Sequence, residues 1–376
     1  MARKGENIYK RKDGRWEARF ISSYGMDGKA KYSYVYARTY SEVKKKLSTI
    51  KSNVVSTPQN KHFEKSTFSD WSLEWAGRKK QAVKESTYIR YRNILENHVV
   101  PKLGGYPIST ISTSLMNQFV QQELSSGRID GNGGLSAKTM MDILVVIKEI
   151  FKYAQNSGVN TICTFDQVSI KKTAREMRVL SRNEENRLIS VLMNEMDRYK
   201  LGVYVCLFTG LRVGELCALQ WKNISFSEKA LKVDRTMQRL QNEDPQVVTK
   251  TRVILSEPKS FAAFRTIPLP DFLLEILHPF KGSPNSFVLS GECKEYVEPR
   301  TMQNRFKKYL EEGKISEANF HSLRHTFATR CVEIGFDVKT LSEILGHSSV
   351  KITLDRYVHS SMEQKMLNME KLSCML

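Results

Sequence analysis

The sequence is short of three things, and each shortage narrows what the protein can be. Six cysteines (Cys163, Cys206, Cys217, Cys293, Cys331 and Cys374) are scattered through 376 residues. None forms the C-x-x-C pair of a structural zinc or dithiol site, so they read as reduced packing residues. No stretch approaches the roughly 20 apolar residues of a membrane helix, and no apolar segment follows Met1-Ala2-Arg3-Lys4 as a secretory leader would require. A soluble, cytoplasmic protein without membrane contact is expected. Acidic charge is also scarce: 40 Asp and Glu face 59 Lys and Arg, a net +19. That balance points to a polyanionic partner. The length exceeds what one core usually serves and implies two or three domains.

Charge is not spread evenly. Residues 1–53 hold 14 Lys/Arg against 5 Asp/Glu, close to half the excess in a seventh of the chain, which marks a separate nucleic-acid-binding module. Within it, Arg15-Trp16-Glu17-Ala18-Arg19-Phe20-Ile21 and Lys31-Tyr32-Ser33-Tyr34-Val35-Tyr36 alternate apolar with polar residues around a Gly25-Met26-Asp27-Gly28 turn, predicting a hairpin. Val43, Leu47 and Ile50 then recur at helical spacing, giving a small sheet backed by a basic helix. Residues 54–65 lack periodicity and read as a linker. Residues 66–170 predict an all-helical domain: Phe68, Trp71, Leu73 and Trp75 open it, Ser86 can cap a second helix, Pro101 interrupts the next stretch, and Leu115–Leu124 and Ala137–Ala154 supply two more. Residues 174–376 mix helices with strand candidates between about Ala230 and Leu269.

Four islands in that last segment carry chemistry. Thr209-Gly210-Leu211-Arg212-Val213-Gly214-Glu215-Leu216 joins two helices. Glu257-Pro258-Lys259-Ser260 precedes Phe264-Arg265-Thr266-Ile267-Pro268-Leu269 on an apparent β-hairpin. His321-Ser322-Leu323-Arg324-His325-Thr326-Phe327-Ala328 follows, and then Leu345-Gly346-His347-Ser348 with Tyr357 ten residues after His347. Cleaving a phosphodiester without a metal needs cations around the non-bridging oxygens, where charge grows as phosphorus becomes five-coordinate. Arginine suits this, with a permanently charged fork that donates two parallel hydrogen bonds. His321 and Arg324 stand three apart, so on a helix they share a face. Each residue alone would be unremarkable; the force lies in the conjunction and its order. His325 reads as a packing histidine and is left outside the set.

These islands resemble the tyrosine recombinase (phage integrase) family, most closely integrases of conjugative transposons and Gram-positive temperate phages. The resemblance implies a multidomain fold: a small N-terminal β-sheet plus helix that binds arm sites, an all-α core-binding domain, and a mainly α (α+β) catalytic domain ending in a tail helix. It implies that Arg212 and Arg324 clamp the scissile phosphate, that His321 and His347 add hydrogen bonds or proton transfer, that Lys259 protonates the 5′ leaving oxygen, and that Tyr357 is the nucleophile, with Glu215 in support. Neither cofactor nor metal is expected. The implied partners are double-stranded DNA at core and arm sites, three further copies in a tetramer on DNA, an excisionase and a host DNA-bending protein, acting at the bacterial nucleoid. A tail stripe of Met362, Met366, Met369 and Leu372 is expected to dock on a neighbouring copy. Phe261-Ala262-Ala263-Phe264 departs from the small polar or basic residues usual after the lysine, its aromatics either packing inward or facing the minor groove. A type IB topoisomerase, a non-catalytic DNA-binding regulator, and a resolvase or chromosome-dimer recombinase are the competing readings.

Overall fold

A computed structural model describes residues 7–24, 30–54, 66–171, 177–242, 249–258, 261–358, 366 and 369–370. The chain divides into two compact units, Met1–Thr173 and Ala174–Leu376.

In the first unit, β1 (Ile8–Lys10), β2 (Trp16–Tyr24) and β3 (Ala30–Ala37) form an antiparallel sheet in that order, followed by α1 (Tyr40–Val54). The predicted hairpin is β2 with β3; its Gly25–Gly28 turn lies outside the described residues. β1 spans only three residues, too few to show alternation in the sequence. The two-residue period sorts the side chains. Ala18 and Ala37 turn inward to a core with Ile8, Val43 and Leu47, while Arg19 pairs with Tyr34 and Glu17 with Tyr36 across the other face. Tyr9, Tyr32, Tyr34 and Tyr36 are exposed. The Arg19 guanidinium lies 3.5 Å from the Tyr32 ring centroid, with Arg11 and Arg15 at 5.5 and 5.9 Å from that of Tyr36.

A second core in this unit is helical. α2 (Phe68–Ala82) opens with a Thr67/Asp70 capping box, α5 (Thr113–Ser126) with Ser112 and α6 (Ala137–Asn156) with Ser136. These caps satisfy the amide groups that a first helical turn leaves unpaired. α3 (Glu85–Ile94) has Lys84 at its N-cap position, so Ser86 lies inside the helix and is not its cap. α3 continues through a π turn, Leu95–Val99, into α4 (Val100–Leu103). Pro101 therefore sits within a helical stretch, where the wide turn ahead of it tolerates a residue without an N–H. Trp71, Trp75, Phe119, Met140, Ile147 and Phe151 fill the core; Leu73 is exposed.

The second unit is built on α8 (Arg198–Thr209), whose residues from Leu201 to Leu207 are all buried. Preceding it is α7 (Arg182–Met193), which starts with a Ser181/Glu184 capping box. After it come α9 (Val213–Ala218), β4 (Ile224–Ser225), β5 (Ala230–Val233), β6 (Thr236–Gln241), β7 (Thr251–Ser256), β8 (Arg265–Pro268), α10 (Asp271–Leu277), α11 (Pro299–Glu312), α12 (His321–Glu333), α13 (Val338–Leu345) and α14 (Val350–Tyr357). The hairpin expected around Lys259 does not form. β7 pairs with β6 and β8 with β5, so the strands on either side of Lys259 belong to different sheets. The reason is that β8 supplies Arg265 and Ile267 inward to the main core beside β5, a burial that pairing with the largely half-exposed β7 would not give. Phe261–Ala263 is a 3-10 turn, and Phe264 is exposed. Of the tail stripe, Met366 and Met369 are exposed, while Met362 and Leu372 lie outside the described residues. No described helix is long and apolar enough to cross a membrane.

Candidate active site

α8 ends in Gly210 at φ +67°, and a Cβ there would come within 2.6 Å of the Phe327 ring and 2.9 Å of Leu345. Glycine alone meets both demands, and the reversal sets Arg212 as the N-cap of α9. Glu215, 5 % exposed, accepts from Arg212 twice, the backbone N at 3.0 Å and Nη1 at 2.7 Å. From the other side Arg265 donates Nη2 at 2.8 Å and Nη1 at 3.2 Å. Burial by itself would raise the Glu215 carboxyl, but the Arg265 hydrogen bonds and the charges of Arg265 and Arg212 outweigh it and hold the group down at about 2. Arg265 in turn donates Nε to the Ile344 carbonyl at 2.6 Å. The carboxylate is thus a hub for two arginines from different elements.

Arg324 is 1 % exposed. Its Nη1 donates to the Gly210 carbonyl at 2.9 Å and its Nη2 to the Leu345 carbonyl at 2.6 Å. One guanidinium thereby joins the carboxyl ends of α8 and α13, where carbonyls lack helical partners and the helix dipoles favour a cation. Arg212 reaches the adjacent Gly346 carbonyl at 3.4 Å. Burial, then Arg212, lower Arg324 to about 9, which leaves it a cation at neutral pH.

α13 is capped by Asp337 and stops at Gly346, φ +66°. His347 follows, its Nδ1 2.9 Å from the buried Thr353 Oγ1, and Ser349 caps α14. Tyr357 is the last residue of that helix and is 5 % exposed. Its ring lies parallel to that of His347 at 6.3 Å, and its Oη is 2.8 Å from His325 Nδ1. His325 meets His321 edge to face at 4.5 Å. Burial raises the Tyr357 phenol, and Arg324, Arg356 and Arg212 pull it back only in part. Desolvation first, and then neighbouring basic groups, lower all three imidazoles: His321 to about 4, with His325 and Arg324 next in effect; His325 to about 4, with Arg356 next; His347 to about 3, with Arg324 next. His321 remains exposed as a residue despite this packing. At neutral pH the histidines are neutral, able to accept as well as donate.

The structure therefore brings together Arg212, Glu215, His321, Arg324, His347 and Tyr357. Lys259 lies outside the described residues. Beside the cluster opens a cavity of about 460 Å³ lined by Leu211, Arg212, Val213, Gln303, Asn319, Phe320 and His321. Arg212 and Arg265 share the single Glu215 carboxylate while Arg324 is held by backbone carbonyls, so the cluster carries net positive charge suited to a phosphate.

Three residues at the site escape the sequence reading. Arg265 was legible only as part of a strand, although a charged residue at the inward phase of Arg265-Thr266-Ile267 was a signal. His325 stands four residues after His321, one helical turn along the same face. Arg356, next to Tyr357 in the chain, bears by its charge on that phenol and on all three histidines; nothing in its immediate sequence context separates it from a surface arginine.

Residues 178–364 match the phage integrase family, and residues 67–124 match the phage integrase N-terminal SAM-like domain. The chain belongs to the phage integrase family of tyrosine recombinases, enzymes that cleave and rejoin DNA. It is 26 % identical over 400 aligned positions to a XerC-like tyrosine recombinase of Caldanaerobacter subterraneus, covering 99 % of each chain. It is 24 % identical over 217 residues to the transposase of transposon Tn916 from Enterococcus faecalis, covering 52 % of this chain and 51 % of that one. Among solved structures, the Tn1549 transposon integrase in complex with a circular intermediate DNA aligns with a TM-score of 0.65 at 22 % identity, over 82 % of this chain and 99 % of that chain. A lambda integrase tetramer bound to a Holliday junction aligns with a TM-score of 0.58 at 18 % identity, over 95 % of this chain and 98 % of that chain. These structural likenesses speak to the fold.

Proposed function

We propose that this site-specific recombinase is the integrase of a mobile element, integrating and excising it through a 3′-phosphotyrosyl intermediate. The observation that carries the reading is the position of Tyr357. Its buried hydroxyl ends α14 within the cluster that holds Arg212, Arg324, His321 and His347. Arg212 and Arg324 bind the non-bridging oxygens of the scissile phosphate, and Glu215 fixes Arg212 for that task. Tyr357 Oη attacks phosphorus, and the 5′ oxygen leaves with a proton from Lys259. His321 and His347 hydrogen-bond the phosphate as charge builds. The phosphotyrosine keeps the energy of the broken bond, so religation needs no ATP.

Residues 66–170 would grip the core site and residues 174–376 catalyse, with residues 1–53 holding arm sites through the open sheet face, where exposed tyrosines interleave with Arg11, Arg15 and Arg19. Four copies would assemble on cytoplasmic, nucleoid DNA, with the tail reaching a neighbour and an excisionase and a host bending protein setting direction. A monomeric relaxing topoisomerase has no use for the arm module, and a regulator has no use for a buried tyrosine among phosphate-binding arginines. The test is a plasmid carrying two element-end sites, incubated with the full chain and no nucleotide. Deletion of the intervening segment is expected; efficient relaxation of a plasmid lacking the sites, without recombination, would refute the integrase reading.

A further inference from the structure

We propose that His325 takes the phenolic proton of Tyr357 as the tyrosine oxygen attacks phosphorus, and returns it when the strand is rejoined. The proposal rests on the reading of Tyr357 as nucleophile. A phenol entering a P–O bond must release its proton to an acceptor already within hydrogen-bond reach. His325 Nδ1 is 2.8 Å from Oη, the two rings tilted by 48° at 5.8 Å. The other histidines are placed for different work. His347 turns its ring parallel to the tyrosine with Nδ1 on Thr353 Oγ1, and His321 packs its ring against His325. Arg324 and Arg356 stay cationic and can only donate.

The groups around His325 also set when it works. From its own helix His321 and Arg324 face it, and from α14 Tyr357 and Arg356 do so; Met177 adds an apolar wall to the same cluster. Burial and the two arginines keep the imidazole neutral far below pH 7, so one ring nitrogen keeps a lone pair, and in the tautomer that carries it on Nδ1 the ring accepts from Oη. The same arginines oppose an imidazolium while the site is empty. A seated phosphate supplies the missing negative charge, and the acceptor strengthens only once DNA is bound. In the forward step the Oη–P bond forms and the P–O5′ bond breaks. The phenolic proton goes to Nδ1, and the leaving oxygen takes another proton from Lys259. Religation reverses each transfer: the 5′ hydroxyl proton returns to Lys259, and Oη regains its own from His325.

The test is single-turnover cleavage of a nicked suicide duplex by the full chain, comparing wild type with His325→Ala and with His325→Asn, which keeps a hydrogen-bond acceptor without basicity. Gel-shift affinity is measured alongside and is expected to be unchanged. Both variants are expected to slow cleavage by about 10²-fold, with rates that climb between pH 6 and 9 where wild type is flat. The defect should persist on a duplex with sulfur in place of the bridging 5′ oxygen, since that leaving group needs no proton. Slowing of less than about threefold, a flat pH profile in the variants, full rate with His325→Asn, or loss of the defect on the sulfur substrate would each overturn the proposal. A wild type that forms no adduct overturns the recombinase reading and this proposal together; an adduct forming equally in all three overturns this proposal alone.

Discussion

Replacing Glu215 with glutamine keeps its shape and removes the one negative charge shared by Arg212 and Arg265. Two independent routes give its size. Breaking a buried ion pair strands a charge at a cost of about 3–5 kcal/mol, and here both side chains are 4 % exposed. Separately, the carboxyl falls from an ordinary 4.5 to about 2, which corresponds to roughly 3 kcal/mol of stability at neutral pH. For a unit of this size that is a drop in Tm of about 6–12 °C. The sign with pH is fixed by the same shift. Because the folded value lies below the unfolded one, the contribution is fully present above pH 4.5 and is lost as pH falls toward 2. Urea unfolding of wild type and Glu215→Gln between pH 7 and pH 2 reads the difference directly, since other carboxylates titrate alike in both proteins. The gap should be near 3 kcal/mol at pH 7, narrow steadily below pH 4.5 and close by about pH 2. A gap under about 1 kcal/mol at pH 7, or one that stays constant to pH 2, would refute the assignment of Glu215 as the hub of the arginine floor.

The two clamp arginines should separate by phenotype. Arg212→Ala is expected to abolish cleavage while sparing site binding and most stability. Arg324→Ala should do so and also destabilise the unit, because the Gly210 and Leu345 carbonyls lose their donors at about 1–3 kcal/mol each; paired cleavage, gel-shift and melting measurements check both. Deleting residues 1–53 should remove binding to arm sites and leave core-site cleavage intact, as footprinting and suicide cleavage would show. The same deletion should flatten the dependence of log affinity on log salt by about 0.9 for every phosphate the arm module neutralises; an unchanged slope would mean the basic sheet does not touch DNA.

The candidate site was legible because its residue types recur in a fixed order across four islands. Arg212, His347 and Tyr357 were singled out by the order of their islands, and the local frame agrees with it: Gly210 and Gly346 end helices in the left-handed conformation and Asp337 and Ser349 start them. The helical segment was legible from 3.6-residue periodicity, with errors at Ser86 and Pro101, where a π turn joins α3 to α4. Strand pairing was not legible. Partners in a sheet are chosen by burial across the chain, and nothing near Lys259 shows that β7 turns back to β6 while β8 leaves for β5. Arg265 and His325 were missed for a related reason: each gains its role from a residue about 30 to 50 positions away, Glu215 for the first and Tyr357 for the second.

As the proposed nucleophile, Tyr357 joins covalently to DNA during cleavage. Incubating wild type and Tyr357→Phe with a nicked suicide substrate bearing the element's end, then resolving the products on a denaturing gel, tests it most directly. A shifted protein–DNA band is expected in the wild type and none in the variant, with both proteins bound to the duplex in a native gel. A covalent band that survives in Tyr357→Phe, or no band in a wild type demonstrably bound, would contradict it.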